Sequence, residues 1–236
     1  MIRSIRSRLG RLKRSLVRFR SPVDLGRLDR VEPVSVTFGL DRGTAIDRRY
    51  IERFLAEHAA RIHGRVLEVG DSTYTTRFGD GRVSERAVLH APPGAPGATI
   101  VADLTNPHGL PEGAFDCFIC TQTLNFVYDT RRALDGARRL LRPGGSLLLT
   151  VGGISRVSRF EHERWGCYWS FTTGSVERLL SDVFGRAITV RSYGNVLGAT
   201  AFLHGLAVED LPDSSLLDAD DPDYPVVVAA VAEKPS

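Results

Sequence analysis

A chain of 236 residues with 42% hydrophobic and 25% charged residues carries enough apolar content for one well-buried core, which excludes a disordered chain and points to a single domain. Its three cysteines exclude a disulfide framework and suit a reducing, cytoplasmic compartment. The net charge is only +3 and no apolar stretch of about 18 residues occurs, so nothing reads as a bilayer-spanning helix.

The small total charge hides an asymmetry. Residues 1–20 hold eight basic groups and no acid, while Ile2, Ile5, Leu9, Leu12, Leu16 and Phe19 recur at three- and four-residue steps. Residues 1–21 therefore read as a basic amphipathic helix. Such a helix suits an anionic membrane surface, each basic residue near the lipid contributing about 1 kcal/mol. It suits a solvated tail equally well, and nucleic acid is the weaker partner. Residues 22–45 read as a linker with one extended piece at Val34-Ser35-Val36-Thr37-Phe38, and residues 46–236 as the domain. Ile46, Tyr50, Ile51, Phe54, Leu55, Ala59 and Ile62 form one helical face, which Gly64 ends.

The most informative segment follows. Gly64-Arg65-Val66-Leu67-Glu68-Val69-Gly70-Asp71 is an apolar strand closing on an acid and a glycine, as at the ligand end of a buried parallel strand. A dinucleotide would bring a pyrophosphate, which needs a run of glycines and no competing carboxylate. Here Asp71, Ser72, Thr73 and Tyr74 follow Gly70 instead. S-adenosylmethionine brings a sulfonium and an ammonium, which suit Glu68 and Asp71, and a carboxylate for backbone amides to hold. A nicotinamide-dependent reductase on a similar sheet is the alternative enzyme, and a binding module without catalysis is the alternative class.

The helix after Gly70 is short, because Gly79-Asp80-Gly81 interrupts it. Strands follow near Ala87-Val88-Leu89-His90 and Ala98-Thr99-Ile100-Val101-Ala102, the latter closed by Asp103 and Leu104. Phe115 to Gln122 is the fourth strand, and a helix over Asp129 to Leu141 leads through Arg142-Pro143-Gly144-Gly145 into a fifth. Cys117 and Cys120 lie three apart on the fourth strand, facing opposite sides at a separation of roughly 10 Å, so they read as core thiols. No cluster offers metal ligands at zinc spacing.

The order acid, strand, helix, Pro-Gly-Gly, strand resembles the class I S-adenosylmethionine-dependent methyltransferases with a single compact domain, over roughly Gly64 to Val151. The resemblance implies a Rossmann-like α/β fold: a seven-stranded, mostly parallel sheet with an antiparallel last strand and helices on both faces. It implies that Glu68, Gly70 and Asp71 lie along the methionine part of the cofactor, that Asp103 and Leu104 sit at the adenine, and that Thr121 and Gln122 line the same cleft. The ribose-binding acid at the end of the second strand is replaced by His90. Asp41-Arg42-Gly43-Thr44 is either a helix-entry turn or, by the same resemblance, a segment folded over the cofactor. Similar proteins accompany glycosyltransferases in surface-polysaccharide pathways, which implies a small-molecule, glycan or sugar-lipid hydroxyl as acceptor.

Arg156 to Thr173 gathers both tryptophans of the chain with His162, Arg164 and Tyr168. Aromatic faces beside polar groups suit a ring-shaped acceptor, so Arg164, Trp165 and Tyr168 are expected at substrate and His162 as general base. Trp169 and Phe171 are expected to pack, and Thr172 or Thr173 to cap a helix over Val176 to Val183. Ile188 to Tyr193 and Tyr224 to Val231 read as the last, antiparallel strands. Between them, Ala199 to Leu206 reads as a buried helix, and the acidic run from Glu209 to Asp223 as a solvated loop.

Overall fold

The computed structural model describes residue 26, residues 29–91 and residues 94–235. The amphipathic reading of residues 1–20 lies outside them. A compact body spans Val34–Ser236.

Helices and strands alternate as the apolar spacing predicts: α1 (Ile46–Glu57), β1 (Gly64–Val69), α2 (Thr73–Gly79), β2 (Val83–His90), β3 (Ile100–Val101), β4 (Phe115–Thr121), α3 (Thr130–Leu140), β5 (Leu141–Gly152), α4 (Arg159–Trp165), α5 (Thr173–Phe184), β6 (Ile188–Tyr193), α6 (Val196–His204) and β7 (Val227–Glu233). The strands form one sheet in the order β3-β2-β1-β4-β5-β7-β6. Pairing is parallel from β3 through β5, and β7 runs antiparallel to both β5 and β6. This is the Rossmann-like sheet expected.

Each face of the sheet buries its own apolar layer. Along β4, Cys117 and Ile119 face the layer with α1 and α6, while Phe118 and Cys120 face the layer with α3 and α5. The period-two alternation thus separates the two cysteines, and burial pushes the Cys120 thiol up to about 12. Thr172 caps α5 in a reciprocal box with Ser175, its hydroxyl accepting from the Ser175 N–H.

Three segments differ from expectation for local reasons. Residues 34–38 form turns, because the Ser35 hydroxyl accepts from the N–H groups of Thr37 (3.0 Å) and Gly39 (3.1 Å) and so folds the backbone. Residues 34–45 belong to the body: the Val34 N–H donates to the His204 carbonyl (2.7 Å), and Phe38 stacks on Phe202. Strand β3 is cut to two residues, as the Thr99 hydroxyl takes the Val88 N–H (2.8 Å) that a longer ladder would use. The acidic run is no solvated loop, since Asp218 and Asp220 pair with Arg49 and Arg53 on α1, and Asp210 with Arg42.

Candidate functional site

The chain order reverses between β1 and β4, and a cleft of about 420 Å³ opens at their carboxyl ends. Glu68, Gly70, Asp71, Thr121 and Gln122 line its floor; Phe38, Phe126, Trp165 and Trp169 line its aromatic rim; Asp47, Arg48, Arg156 and Glu161 add charge.

Glu68, only 2% exposed, accepts from the N–H groups of Tyr74 (3.1 Å) and Thr75 (2.8 Å) and from the Thr75 hydroxyl (2.7 Å). It thereby ties the N-terminus of α2 to the end of β1. Burial pushes its carboxyl up, opposed by the two Thr75 bonds. Gly70 sits at φ +92°, a conformation that favours glycine, and a Cβ there would meet nothing within 4 Å, so open space faces the turn. Asp71 accepts from the Thr73 N–H (2.8 Å) and is exposed. The His90 Nε2 lies 2.5 Å from the Gly70 carbonyl oxygen, and since a carbonyl only accepts, Nε2 carries the proton. His90 therefore pins the glycine turn from outside the cleft lining.

Two donors inside the cleft have no partner. Gln122, at φ +48°, leaves its Nε2 buried and unbonded. Arg156 lies 4.0 Å over the Phe38 ring and donates through Nη2 to the Val36 carbonyl, yet its buried Nε is unbonded. Asp47 and Glu161 are their counterpart. Burial raises both carboxyls; Arg48 opposes the rise at Asp47, and at Glu161 the Ser158 hydroxyl and Arg156 oppose it. Among the described residues none of Asp47, Arg48, Arg156 and Glu161 forms an ion pair, although arginines elsewhere in the body pair freely. Buried polar groups without partners carry a cost that a ligand can relieve.

The structure brings together Glu68, Gly70, Asp71, Thr121, Gln122 and Trp165 of the residues expected at the site. It leaves six others outside the lining. Asp103 turns inward on its own loop, accepting from the Thr105 N–H (2.8 Å) and hydroxyl (2.9 Å), and Leu104 is buried in the α3 layer. His90 is occupied at Gly70. His162, Arg164 and Tyr168 stand off the cleft: positions 161 and 165 share one side of α4, which rotates 162 and 164 away. The Arg164 guanidinium covers Trp165 (5.4 Å) and Phe160 (5.8 Å), and Tyr168 meets Tyr128 edge-on (5.5 Å). Trp169, expected to pack, is 41% exposed at the rim, whereas Phe171 is buried. The sequence reading missed Phe38, Asp47, Arg48, Asn125, Phe126, Arg156 and Glu161. Ser158-x-x-Glu161 also spells a helix-capping pattern, and Ser158 does cap α4.

A protein-family model described as a methyltransferase domain matches residues 54–149. Residues 54–149 are therefore similar to that domain family. The match and the fold support S-adenosylmethionine as the cofactor. The residues present fit it: the exposed Asp71 carboxylate for its cationic groups, the open face of Gly70 for close backbone approach, and the unbonded Gln122 amide as a donor for its carboxylate. No glycine run offers itself to a pyrophosphate.

Solved structures share this fold. An S-adenosylmethionine-dependent methyltransferase from Mesorhizobium loti is 17% identical, with 83% of this chain and 100% of that one covered at a TM-score of 0.55. The cyclase SpnF is 16% identical, with 82% and 83% covered at 0.51. Phosphoethanolamine N-methyltransferase 2 of Haemonchus contortus, in complex with S-adenosyl-L-methionine, is 14% identical, with 86% and 60% covered at 0.51. No curated protein matches the chain in sequence. No group of metal-ligating side chains occurs among the described residues, and none of their helices is long and apolar enough to cross a membrane.

Proposed function

We propose that the protein transfers the methyl group of S-adenosylmethionine to a hydroxyl of a small molecule, a glycan or a sugar-lipid. The observation that carries this reading is the division of one cleft into an acidic floor around Gly70, suited to the cationic donor, and an aromatic rim of Phe38, Phe126, Trp165 and Trp169 suited to a ring-shaped acceptor. The cofactor supplies an electrophilic methyl on sulfur; the acceptor oxygen bonds that carbon as the carbon–sulfur bond breaks, and the hydroxyl proton leaves. Glu161 takes that proton in this reading, because its carboxylate lines the cleft and is less solvated than an ordinary glutamate, whereas His162 is outside. The rim excludes water from the transfer. Residues 1–20 bring the protein to an anionic membrane surface, on the cytoplasmic side, where a sugar-lipid acceptor of a surface-polysaccharide pathway is presented.

The test is incubation with radiolabelled S-adenosylmethionine and fractionated cell lipids, glycans and small molecules. Label in a glycan or glycolipid fraction supports the reading. Cofactor binding without label in any fraction leaves a binding module, and label in protein overturns the acceptor class.

A further inference from the structure

The cleft rim holds a donor without a partner, beside a carboxylate that no arginine pairs with and an aromatic face. Arg156 lines the cleft with a buried Nε that has no partner, and its guanidinium carbon lies 4.0 Å from the centre of the Phe38 ring. Glu161 stands close enough for the Arg156 charge to pull its carboxyl down against the rise from burial, without forming an ion pair. One helical turn beyond Glu161, Trp165 lies across Phe126 with ring centroids 5.9 Å apart and remains 48% exposed.

The charge of the cleft restricts what sits there. Asp47, Glu68, Asp71 and Glu161 outnumber Arg48 and Arg156 in its lining, so an anionic acceptor meets net repulsion. An ammonium acceptor suits the carboxylates and the rings, but it has no lone pair for the Arg156 Nε and would leave that donor stranded. A hydroxyl both donates and accepts. Two neighbouring hydroxyls on a ring satisfy Glu161 and Arg156 together, while the apolar face of the ring lies on an aromatic.

Resting on the methyltransferase reading above, we infer that Arg156, Glu161 and Trp165 form the acceptor subsite, and that its occupant is an uncharged sugar ring with adjacent hydroxyls. Sugar phosphates, uronates and amines are excluded from this position.

The chain contains two tryptophans, Trp165 and Trp169, and both line the cleft, so intrinsic tryptophan emission reports on this site alone. In the full-length protein S-adenosylhomocysteine is titrated first; then, at saturation, methyl α-mannopyranoside and methyl α-rhamnopyranoside are compared with glucose 1-phosphate, glucuronate and choline. A saturable emission change with a neutral glycoside, at least ten-fold weaker in Glu161→Gln and Arg156→Gln and unchanged in His162→Gln, is the expected result. Undiminished S-adenosylhomocysteine binding in those variants shows that each is folded. Equal or tighter binding of a charged probe, silence with every neutral glycoside, or wild-type affinity in both cleft variants overturns the subsite. A missing response to S-adenosylhomocysteine in the wild-type protein removes the methyltransferase reading itself, and the subsite falls with it.

Discussion

Asn125 grips Trp169 through two bonds: its side-chain amide donates to the Trp169 carbonyl at 2.7 Å, and its own carbonyl accepts from the Trp169 N–H at 3.3 Å. The same side chain donates to the Gly152 carbonyl (3.1 Å) and accepts from the Gly152 N–H (3.0 Å). One residue after β4 thus fastens the end of β5 to the aromatic segment. Replacing Asn125 by Ala strands backbone groups at both places, at a cost of about 1–3 kcal/mol. Urea unfolding followed by circular dichroism is expected to show that loss, together with a red-shifted tryptophan emission as the rim loosens. Wild-type stability with wild-type emission would show that Asn125 fastens nothing.

Arg53 gives both carboxylate oxygens of Asp220 a hydrogen bond, at 2.5 and 2.6 Å, and its guanidinium lies over Tyr193 at 4.6 Å. Asp220 also accepts from Arg191 (3.0 Å) and from the Gly194 N–H (3.2 Å). With side chains only 20% and 17% exposed, this pair lies between a surface ion pair and a buried one. Asp220→Asn is expected to destabilise by about 2 kcal/mol in urea. Calcium is expected to leave the melting temperature unchanged, because arginines already engage these carboxylates; a calcium-induced rise would contradict that assignment.

The turn before α1 makes stability fall in acid. Hydrogen bonds from Arg42 hold the Asp210 carboxyl below the ordinary carboxylate range, and those from Thr44 do the same for Glu209. A depressed pKa stabilises the fold above the unfolded-state value, about 4, and this contribution is lost as pH falls through the lower folded-state value. Glu68 has the opposite sign, since its raised pKa costs stability once it ionises. Melting temperatures from pH 7 to pH 3 are expected to decline less steeply in Asp210→Asn than in the wild type. An identical acid slope would remove Asp210 from the account.

What the sequence disclosed depended on whether a signal was local. The strand at Gly64–Val69 and the Thr172 cap are written in adjacent residues and stand as read, whereas α1 already ends at Glu57, before the stop expected at Gly64, and a 3-10 turn over Ala59–Arg61 follows it. The acidic run misled because its partners, Arg49 and Arg53, lie more than 160 positions earlier. His162 was singled out for its chemistry, but α4 turns Glu161 toward the cleft, and with only seven residues that helix carries too little apolar period to set its facing from sequence. Ser35 folds a segment whose β-branched residues advertise a strand, a competition between one side-chain oxygen and a ladder that composition does not weigh.

Gln122 has backbone strain and an unbonded amide at the same point. Its φ of +48° is a conformation that costs a residue with a Cβ about 1–2 kcal/mol, and its backbone N–H is held by the Thr150 carbonyl at 2.8 Å. A glycine here removes that strain and restores about 0.5–1 kcal/mol of unfolded-state entropy cost. Gln122→Gly is therefore expected to match the wild type in urea or exceed it by up to about 1 kcal/mol. The same change deletes the buried Nε2 that faces the floor of the cleft, so calorimetry is expected to show S-adenosylhomocysteine binding roughly ten-fold weaker, the loss of about one good hydrogen bond to a charged group. Binding at wild-type strength would mean that the amide meets no cofactor, and a large loss of stability would mean that the strained turn is held for folding instead of for its ligand.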